Sequence, residues 1–324
     1  MPSVDGVPDL VDRARGGDPR AVARLVTLIE DGASSLPVLA GLLAADTPAA
    51  DAAHVVGLTG APGVGKSTLT SALIGRYRAD GKRVGVVAVD PSSPFSGGAL
   101  LGDRVRMQEH ATDPGVFIRS MAARGRLGGL AEATPQAVRL LASLGFEVVL
   151  VETVGVGQSE VDVAATADSV VVVLAPEMGD SVQAAKAGIL EIGDLYVVNK
   201  ADREGADRTV RELRQMLRLG QPVGADGWER PVLTTCASDG TGVPELVAAL
   251  AAHREWAERT GALTVRRRRR AADEIVALAT ARLLATAGGV ERGGRLDALA
   301  EAVRTGRLDA YAAAETLLAG PAEG

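Results

Sequence analysis

Apolar residues follow two different periodicities along this chain, and the change between them divides it into three parts. From residue 8 to residue 50 they recur at the spacing of amphipathic helices. The stretch from Gly17 to Pro19 interrupts this pattern and favours the N-terminus of a new helix. Between His54 and about Leu250, short runs of β-branched residues alternate with helical stretches. The remaining sequence is rich in alanine and has a helical pattern to about residue 318.

The short β-branched runs are apolar on both faces, which is typical of parallel sheets that helices cover on both sides. The predicted strands lie in the segments "HVVGLTG", "VGVVAVD", "VFIRS", "FEVVLVET", "SVVVVLAP", "LYVVNK" and "PVLTT". We therefore predict an α/β domain over residues 51–262. A helical extension over residues 1–50 precedes this domain, and a helical arm over residues 263–324 follows it.

Composition and charge argue against several classes of function. Hydrophobic residues make up 47% of the chain, and 41 acidic against 35 basic residues leave a net charge of −6, which is not the footprint of a nucleic-acid-binding protein. A single cysteine excludes an internal disulfide, and three scattered histidines disfavour a dedicated metal cluster. The basic run from Arg266 to Arg270 is interpreted as an exposed helix face, because few aromatic residues are present to stack on bases.

The expected location is the cytoplasm, with no contact to a membrane or to nucleic acid. The N-terminal segment carries acidic residues early and has no apolar core of signal-peptide length. No stretch approaches the roughly 18 uninterrupted apolar residues of a membrane span.

A glycine-rich segment between a predicted strand and a predicted helix has the pattern of a phosphate-binding loop. "GAPGVGKS", residues 60–67, fits G-x-x-x-x-G-K-[ST] in the required context. The glycines let backbone N–H groups close around phosphate oxygens, and the helix N-terminus adds its positive dipole end. Lys66 would reach the β- and γ-phosphates, and the Ser67 hydroxyl would bind Mg²⁺. The predicted phosphate-binding residues are Gly60, Ala61, Pro62, Gly63, Val64, Gly65, Lys66, Ser67 and Thr68.

A second motif indicates which base the nucleotide carries. "NKAD" at the end of a later strand resembles the N-K-x-D signature, in which the Asp202 carboxylate accepts hydrogen bonds from guanine N1–H and the exocyclic amine. The loop "CAS" stands where GTP-binding proteins usually carry Ser-Ala-x, and we interpret Cys236 as a packed residue beside the base rather than a nucleophile. The predicted guanine-binding residues are Asn199, Lys200, Asp202, Cys236, Ala237 and Ser238. GTP is therefore favoured over ATP.

Three carboxylates stand at or after the ends of predicted strands, where the ligand crevice of a parallel sheet lies. Asp90 ends one run, Asp103 follows it, and Glu152 closes the most continuous apolar run. The spacing from Glu152 to Gly155 imitates the D-x-x-G switch, and the longer glutamate favours a water-mediated contact with Mg²⁺. The predicted metal-site residues are Ser67, Asp90, Asp103 and Glu152, and the predicted catalytic residues are Lys66 and Glu152. No glutamine follows Gly155 directly, so we expect slow hydrolysis until a partner orders this loop.

Together these motifs resemble the MeaB/ArgK-type GTPases, which are associated with methylmalonyl-CoA mutase and related adenosylcobalamin-dependent mutases. The resemblance covers about residues 10–310 and includes the segments "AVDPSSPFSGGALLGDRVRM", "IRSMAARGRLGGLA", "VETVGVGQSE" and "PEMGDSVQAAKAGI". It implies a SIMIBI-type P-loop NTPase fold, a parallel sheet flanked by helices, with N- and C-terminal helical extensions.

The same resemblance implies a chaperone that binds GTP/GDP and Mg²⁺. Such a protein gates adenosylcobalamin delivery to a B12-dependent acyl-CoA mutase and protects it, hydrolysing GTP slowly until the mutase stimulates it. It implies a homodimer formed through the C-terminal arm. Two departures from the family pattern are Cys236 in place of serine and "PEMGDSVQ" in the segment 177–188, where the family has an additional switch.

Three other functions remain open at this level. A metallochaperone-type GTPase would need a transferable site of cysteine and histidine, and a transport-linked kinase would need an acceptor pocket and usually an aspartate base. A pure scaffold would not need the intact phosphate-binding loop. The identity of the mutase also stays open.

Overall fold

The computed structural model describes residues 6–32, 36–44, 51–91, 108–110, 112–123, 133–153, 159–176, 189–219, 227–286 and 295–318. The chain divides into two compact units, Met1–Arg266 and Arg267–Gly324. The strands are β1 (His54–Thr59), β2 (Val84–Pro91), β3 (Val116–Ala123), β4 (Val148–Thr153), β5 (Ser169–Leu174), β6 (Leu195–Asn199) and β7 (Val232–Thr235). The helices are α1 (Val7–Arg15), α2 (Pro19–Glu30), α3 (Leu36–Ala44), α4 (Lys66–Ala79), α5 (Ala133–Ser143), α6 (Ser159–Thr166), α7 (Ile189–Ile192), α8 (Ala206–Leu219), α9 (Val243–Arg259), α10 (Ala262–Thr286), α11 (Arg295–Arg304) and α12 (Ala310–Leu318).

The strands form one parallel sheet in the order β3-β2-β4-β1-β5-β6-β7. Every residue of β1, β4, β5 and β6 is buried, which explains why these runs are apolar at consecutive positions rather than alternating. The predicted P-loop type of α/β fold is confirmed. Because the strands are parallel, the residues that follow β1, β4 and β6 all lie at one edge of the sheet.

Helices cover both faces of the sheet and form separate apolar cores. On one face α4 and α9 pack against the central strands, burying Leu69, Leu73 and Leu246 completely. On the other face, α1 and α2 share a core with α5 and with the strands. The N-terminal helices are therefore part of the first unit, while the borders that we predict at residues 50 and 262 stay predictions.

The break that the sequence predicts near residue 18 is a helix cap. Asp18 accepts hydrogen bonds from the backbone N–H groups of Arg20 (2.9 Å) and Ala21 (3.4 Å), and Pro19 occupies the first helical position of α2. Gly17 adopts a φ of +86°, a conformation that is costly for other residues. The cap satisfies N–H groups that would otherwise lack partners at the start of α2.

Helix α10 exposes Ile275, Val276 and Leu278, with 67%, 64% and 48% of their surfaces accessible. The helix crosses the border between the two units, and these three residues belong to the second unit. Within the part of the chain that the structure describes, no helix combines the length and the apolar character needed to cross a membrane.

Candidate functional site

The loop between β1 and α4 has a backbone that only glycine can adopt at several positions. Gly60, Gly63 and Gly65 have φ values of +140°, +80° and +94°. A Cβ atom on Gly60 would overlap the carbonyl oxygen of Val173 in β5, and one on Gly65 would overlap the side-chain amide of Asn199. The loop therefore lies directly against two other strands, and this close approach gives the phosphate cradle its fixed shape.

Lys66 begins α4 and lies over the loop that precedes it. Its side chain is 6% exposed, and Nζ donates hydrogen bonds to the carbonyl oxygens of Gly60 (2.6 Å) and Ala61 (3.0 Å). These contacts hold a cationic group inside the cradle, where the phosphates of a nucleotide would bind. The predicted position of Lys66 at the phosphates stays a prediction, and its place over the loop is consistent with it.

Glu152 lies beside the same cradle and binds two hydroxyl groups of α4. Ser67 Oγ donates to Glu152 Oε1 at 2.6 Å, and Thr70 Oγ1 donates to Glu152 Oε2 at 2.8 Å. Glu152 is only 2% exposed, because β4 is a central strand in which it lies opposite Leu58 of β1. Burial of a carboxylate is costly without such donors, so the two hydroxyls stabilise it and fix its orientation.

The donors beside the cradle suit Mg²⁺, which prefers oxygen ligands and keeps several waters. Ser67 and Glu152, two of the predicted metal-site residues, lie in direct contact. The backbone of Asp90 lies in β2 at the same sheet edge, one residue beyond the pairing of Val89 with Thr153, whereas Asp103 falls outside the described residues. Among the residues that the structure describes, no group of three His, Cys, Asp or Glu side chains could hold a metal alone.

Asn199 connects the phosphate loop to the predicted base-binding loops. Its Nδ2 donates to the carbonyl oxygen of Val64 at 2.9 Å. Its Oδ1 accepts from Thr235 Oγ1 at 3.0 Å and from the backbone N–H of Ala237 at 3.1 Å. The amide is 2% exposed, so Asn199 acts as a buried clamp between the two halves of the site.

Lys200 reinforces this connection from the other side. Its Nζ donates to the carbonyl oxygen of Gly63 at 2.7 Å. Its φ of +59° is unusual for a residue with a side chain, and among the described residues no other non-glycine residue has a positive φ. A conformation of this kind costs free energy and is typical of functional loops.

The second base-binding loop places Cys236 against Asp202. The Cys236 thiol donates to Asp202 Oδ1 at 3.3 Å, lies 3.2 Å from Ser238 Oγ and is 7% exposed. The Ser238 hydroxyl lowers the pKa of this thiol, whereas burial and the carboxylates of Asp202 and Asp239 raise it. The raising effects are larger together, so the pKa of Cys236 lies above its ordinary value. The interpretation of Cys236 as a packed thiol beside the base is consistent with this environment.

The raised pKa of Cys236 predicts that its thiol reacts slowly with alkylating reagents. Cys236 should react with iodoacetamide at pH 7.5 at least about tenfold more slowly than the same cysteine in urea-unfolded protein, because the thiolate is the reactive form. Mass spectrometry of the time course measures both rates. Equal rates in folded and unfolded protein would contradict a buried, protonated thiol.

One arginine differs from the sequence interpretation. Arg266 does not belong to an exposed basic face, because its guanidinium binds the Asp194 carboxylate at 2.7 and 2.9 Å. In the segment "IRSMAARGRLGGLA", Arg119 donates to Glu30 and to Thr27 Oγ1 (3.2 Å), because β3 is the edge strand against which α2 packs. Gly155 and the segment 177–188 lie outside the described residues.

Sequence reasoning missed Thr70, which contacts Glu152, and Val173, whose carbonyl lies against Gly60. The sequence assigns Ser67 and Glu152 to the same metal site but does not predict the direct hydrogen bond between them. No motif marks Thr70, since its role depends on which residue of β4 lies next to α4.

The fold and the phosphate-binding loop together define a P-loop nucleotide-binding protein. The sequence model described as methylmalonyl-CoA mutase-associated GTPase MeaB matches residues 22–291. The chain belongs to this family of GTPases, and membership implies that it binds guanine nucleotides.

Similar proteins agree with this assignment. A Pyrococcus abyssi protein whose name describes it as a GTPase is 46% identical over 314 residues, which cover 96% of each chain. The fused isobutyryl-CoA mutase of Cupriavidus metallidurans is 37% identical over 235 residues, which cover 71% of this chain and 21% of that protein. The crystal structure of a LAO/AO transport system kinase covers 98% of both chains with a TM-score of 0.69 at 24% identity, which shows a shared fold.

Proposed function

We propose that this protein is a GTP-hydrolysing chaperone of an adenosylcobalamin-dependent acyl-CoA mutase, most simply methylmalonyl-CoA mutase. It gates delivery of the cofactor to the mutase and protects the enzyme. The main support for GTP hydrolysis is the hydrogen bond from Ser67 to Glu152 beside the phosphate-binding loop. Asn199 connects this loop to the predicted base-binding loops. The mutase part is supported by the family and by the similar segment within a fused isobutyryl-CoA mutase.

Hydrolysis in this site is a matter of position and charge. Lys66 and the loop N–H groups would hold the β- and γ-phosphates, and the Ser67 oxygen would hold Mg²⁺. When bound, Mg²⁺ would supply positive charge next to the phosphate oxygens. Glu152 accepts a hydrogen bond from the Ser67 hydroxyl, so the lone pairs of the Ser67 oxygen point away from the carboxylate.

Glu152 is better suited to positioning than to proton abstraction. Both of its oxygens accept hydrogen bonds from α4, and these contacts fix the carboxylate in place beside Ser67. The water is oriented by another group that a partner brings into place. This accounts for a low basal rate and for stimulation by the mutase.

The protein acts in the cytoplasm as a homodimer. The exposed apolar residues Ile275, Val276 and Leu278 on α10 support this part of the proposal, because a soluble monomer rarely presents such a set on one helix.

The proposal is tested by phosphate release from GTP, with and without methylmalonyl-CoA mutase or isobutyryl-CoA mutase. We expect slow turnover by the protein alone and at least about tenfold stimulation by one of the mutases. Lys66→Ala, which removes the cation at the phosphates, should lower the stimulated rate by about 100-fold or more. Co-purification of the protein with the mutase, compared in the presence of GMPPNP and of GDP, measures whether the bound nucleotide controls the interaction.

The proposal fails if hydrolysis by the isolated protein is already fast, or if neither mutase changes it. Transfer of phosphate to a protein acceptor, without release of free phosphate, would indicate a kinase. Stoichiometric nickel binding by the purified protein would indicate a metallochaperone.

A further inference from the structure

Thr70 is buried in α4, about one turn after Ser67, which is predicted to bind Mg²⁺, and its hydroxyl has an unusual hydrogen-bond partner. Threonine within a helix commonly bonds the carbonyl of the preceding turn. Here Thr70 is fully buried, and its hydroxyl donates to Glu152 Oε2 at 2.8 Å. This contact joins α4 to a strand residue 82 positions away.

Geometry links Thr70 to Ser67 through the same carboxylate. Residues three apart in a helix lie on one face, so the two hydroxyls can approach the two oxygens of one carboxyl group. Each oxygen of Glu152 accepts one of them, at 2.6 Å from Ser67 and 2.8 Å from Thr70. A carboxyl group held at both oxygens cannot rotate about its terminal bond without losing a hydrogen bond, so the direction of its contact with Ser67 is fixed.

The direction of the Ser67 hydroxyl matters for binding a cation. A hydroxyl has one proton and two lone pairs, and its proton must point away from Mg²⁺ if its oxygen is to be a ligand. Glu152 accepts a hydrogen bond from this hydroxyl, so a contact that fixes the Glu152 carboxylate also fixes the direction of the Ser67 lone pairs. Glutamate has one more rotatable bond than aspartate, and a second anchor limits that freedom.

We propose that Thr70 is a positioning residue of the magnesium site, acting through Glu152 to orient the Ser67 hydroxyl toward the metal. This inference rests on the proposed GTPase function and deepens it. It assigns to Thr70 an effect on the metal rather than on the nucleotide itself. The Thr70 hydroxyl donates to Glu152 and not to the backbone of the phosphate loop, so nucleotide affinity without metal should not depend on it.

The test measures dissociation of a fluorescent GDP over a titration of Mg²⁺ and, separately, in EDTA. Thr70→Val keeps the shape of the side chain and removes the hydroxyl. We expect the Mg²⁺ concentration that gives half-maximal retention of GDP to rise about tenfold, because a hydrogen bond to a charged group is lost. The dissociation rate in EDTA should stay within about twofold, and Thr70→Ser should restore the response to Mg²⁺.

Thr134→Val is the matched control. Thr134 is also fully buried in a helix, and among the described residues its hydroxyl has no hydrogen-bond partner. It should leave the Mg²⁺ titration unchanged, and melting temperatures report whether each variant is folded.

Each contrary result has a distinct meaning. The role of Thr70 would be overturned if Thr70→Val left the Mg²⁺ titration unchanged, or accelerated GDP dissociation equally in EDTA. It would also be overturned if Thr134→Val shifted the Mg²⁺ titration by the same amount, or if Thr70→Ser did not restore the response to Mg²⁺. If the wild-type protein retains no GDP under any condition, the proposed function fails as well.

Discussion

Asp202→Asn is expected to lower the affinity for GDP by about 10³-fold and to raise the affinity for xanthosine diphosphate by a comparable factor. The carboxylate offers two acceptors to the N1–H and the exocyclic amine of guanine. Asparagine keeps one acceptor and replaces the other with a donor, which opposes the amine of guanine but matches the carbonyl that xanthine carries there. Competition of each unlabelled nucleotide against fluorescent GDP or XDP measures both affinities.

Asp207→Asn is the matched control for this change. Asp207 lies five residues further on in the first turn of α8 and is exposed, so the same chemical substitution there should leave both affinities within about twofold. Equal weakening of GDP and XDP by Asp202→Asn would mean that the residue only supports the loop. Unchanged GDP affinity would mean that the base is read elsewhere.

The sequence predicted those parts of the site that depend on backbone conformation and strand order. Gly60 and Gly65 could be recognised because their positive φ values exclude other residues, and a strand and a helix flank them. Asn199 could be placed because it ends an apolar strand, and parallel strands bring their carboxyl ends together. These inferences need only local patterns and the direction of the strands.

Contacts that depend on register and helix rotation could not be predicted in the same way. Thr70 meets Glu152 only because α4 presents this face to the end of β4, which no spacing along the chain encodes. Arg119 meets Glu30 only because β3 is the edge strand and α2 packs beside it. The partner of a charged residue can lie on a helix that is distant in sequence, and no local pattern identifies that partner.

The same limitation applies to a polar cluster at the edge of the sheet opposite the nucleotide site. Asp194, just before β6, accepts hydrogen bonds from Arg266 (2.7 and 2.9 Å) and from the backbone N–H of Val170 (2.8 Å). His253 lies next to it, with Nε2 3.4 Å from Asp194 Oδ1. The indole N–H of Trp228 donates to the Asp194 carbonyl at 2.7 Å. Within the first unit, this cluster fixes the start of α10 through Arg266, the first arginine of the basic run.

Asp194→Asn is expected to destabilise the first unit by about 2 kcal/mol, because the Arg266 guanidinium loses its carboxylate partner, and solvent offsets part of this loss where Arg266 is exposed. Urea unfolding followed by tryptophan fluorescence measures the change. The signal reports directly on this region, since both tryptophans of the chain lie beside His253, with Trp228 and Trp256 5.7 Å apart. Glu212→Gln, which breaks the exposed ion pair with Arg208, is the control and should cost no more than about 0.5 kcal/mol.

The pH dependence separates the charge of Asp194 from its packing. Burial raises the pKa of Asp194, but hydrogen bonds and charge from Arg266 and His253 outweigh burial and hold the pKa well below its ordinary value. A lowered pKa in the folded state stabilises the protein fully above the unfolded value of about 4, and this contribution disappears as the pH falls toward the folded value. The difference in unfolding free energy between wild type and Asp194→Asn should therefore be present above the unfolded pKa of the carboxyl group and shrink below about pH 4. A difference that persists unchanged in acid would show that the carboxyl group acts by shape, and that its ion pair with Arg266 adds nothing to the anchor of α10.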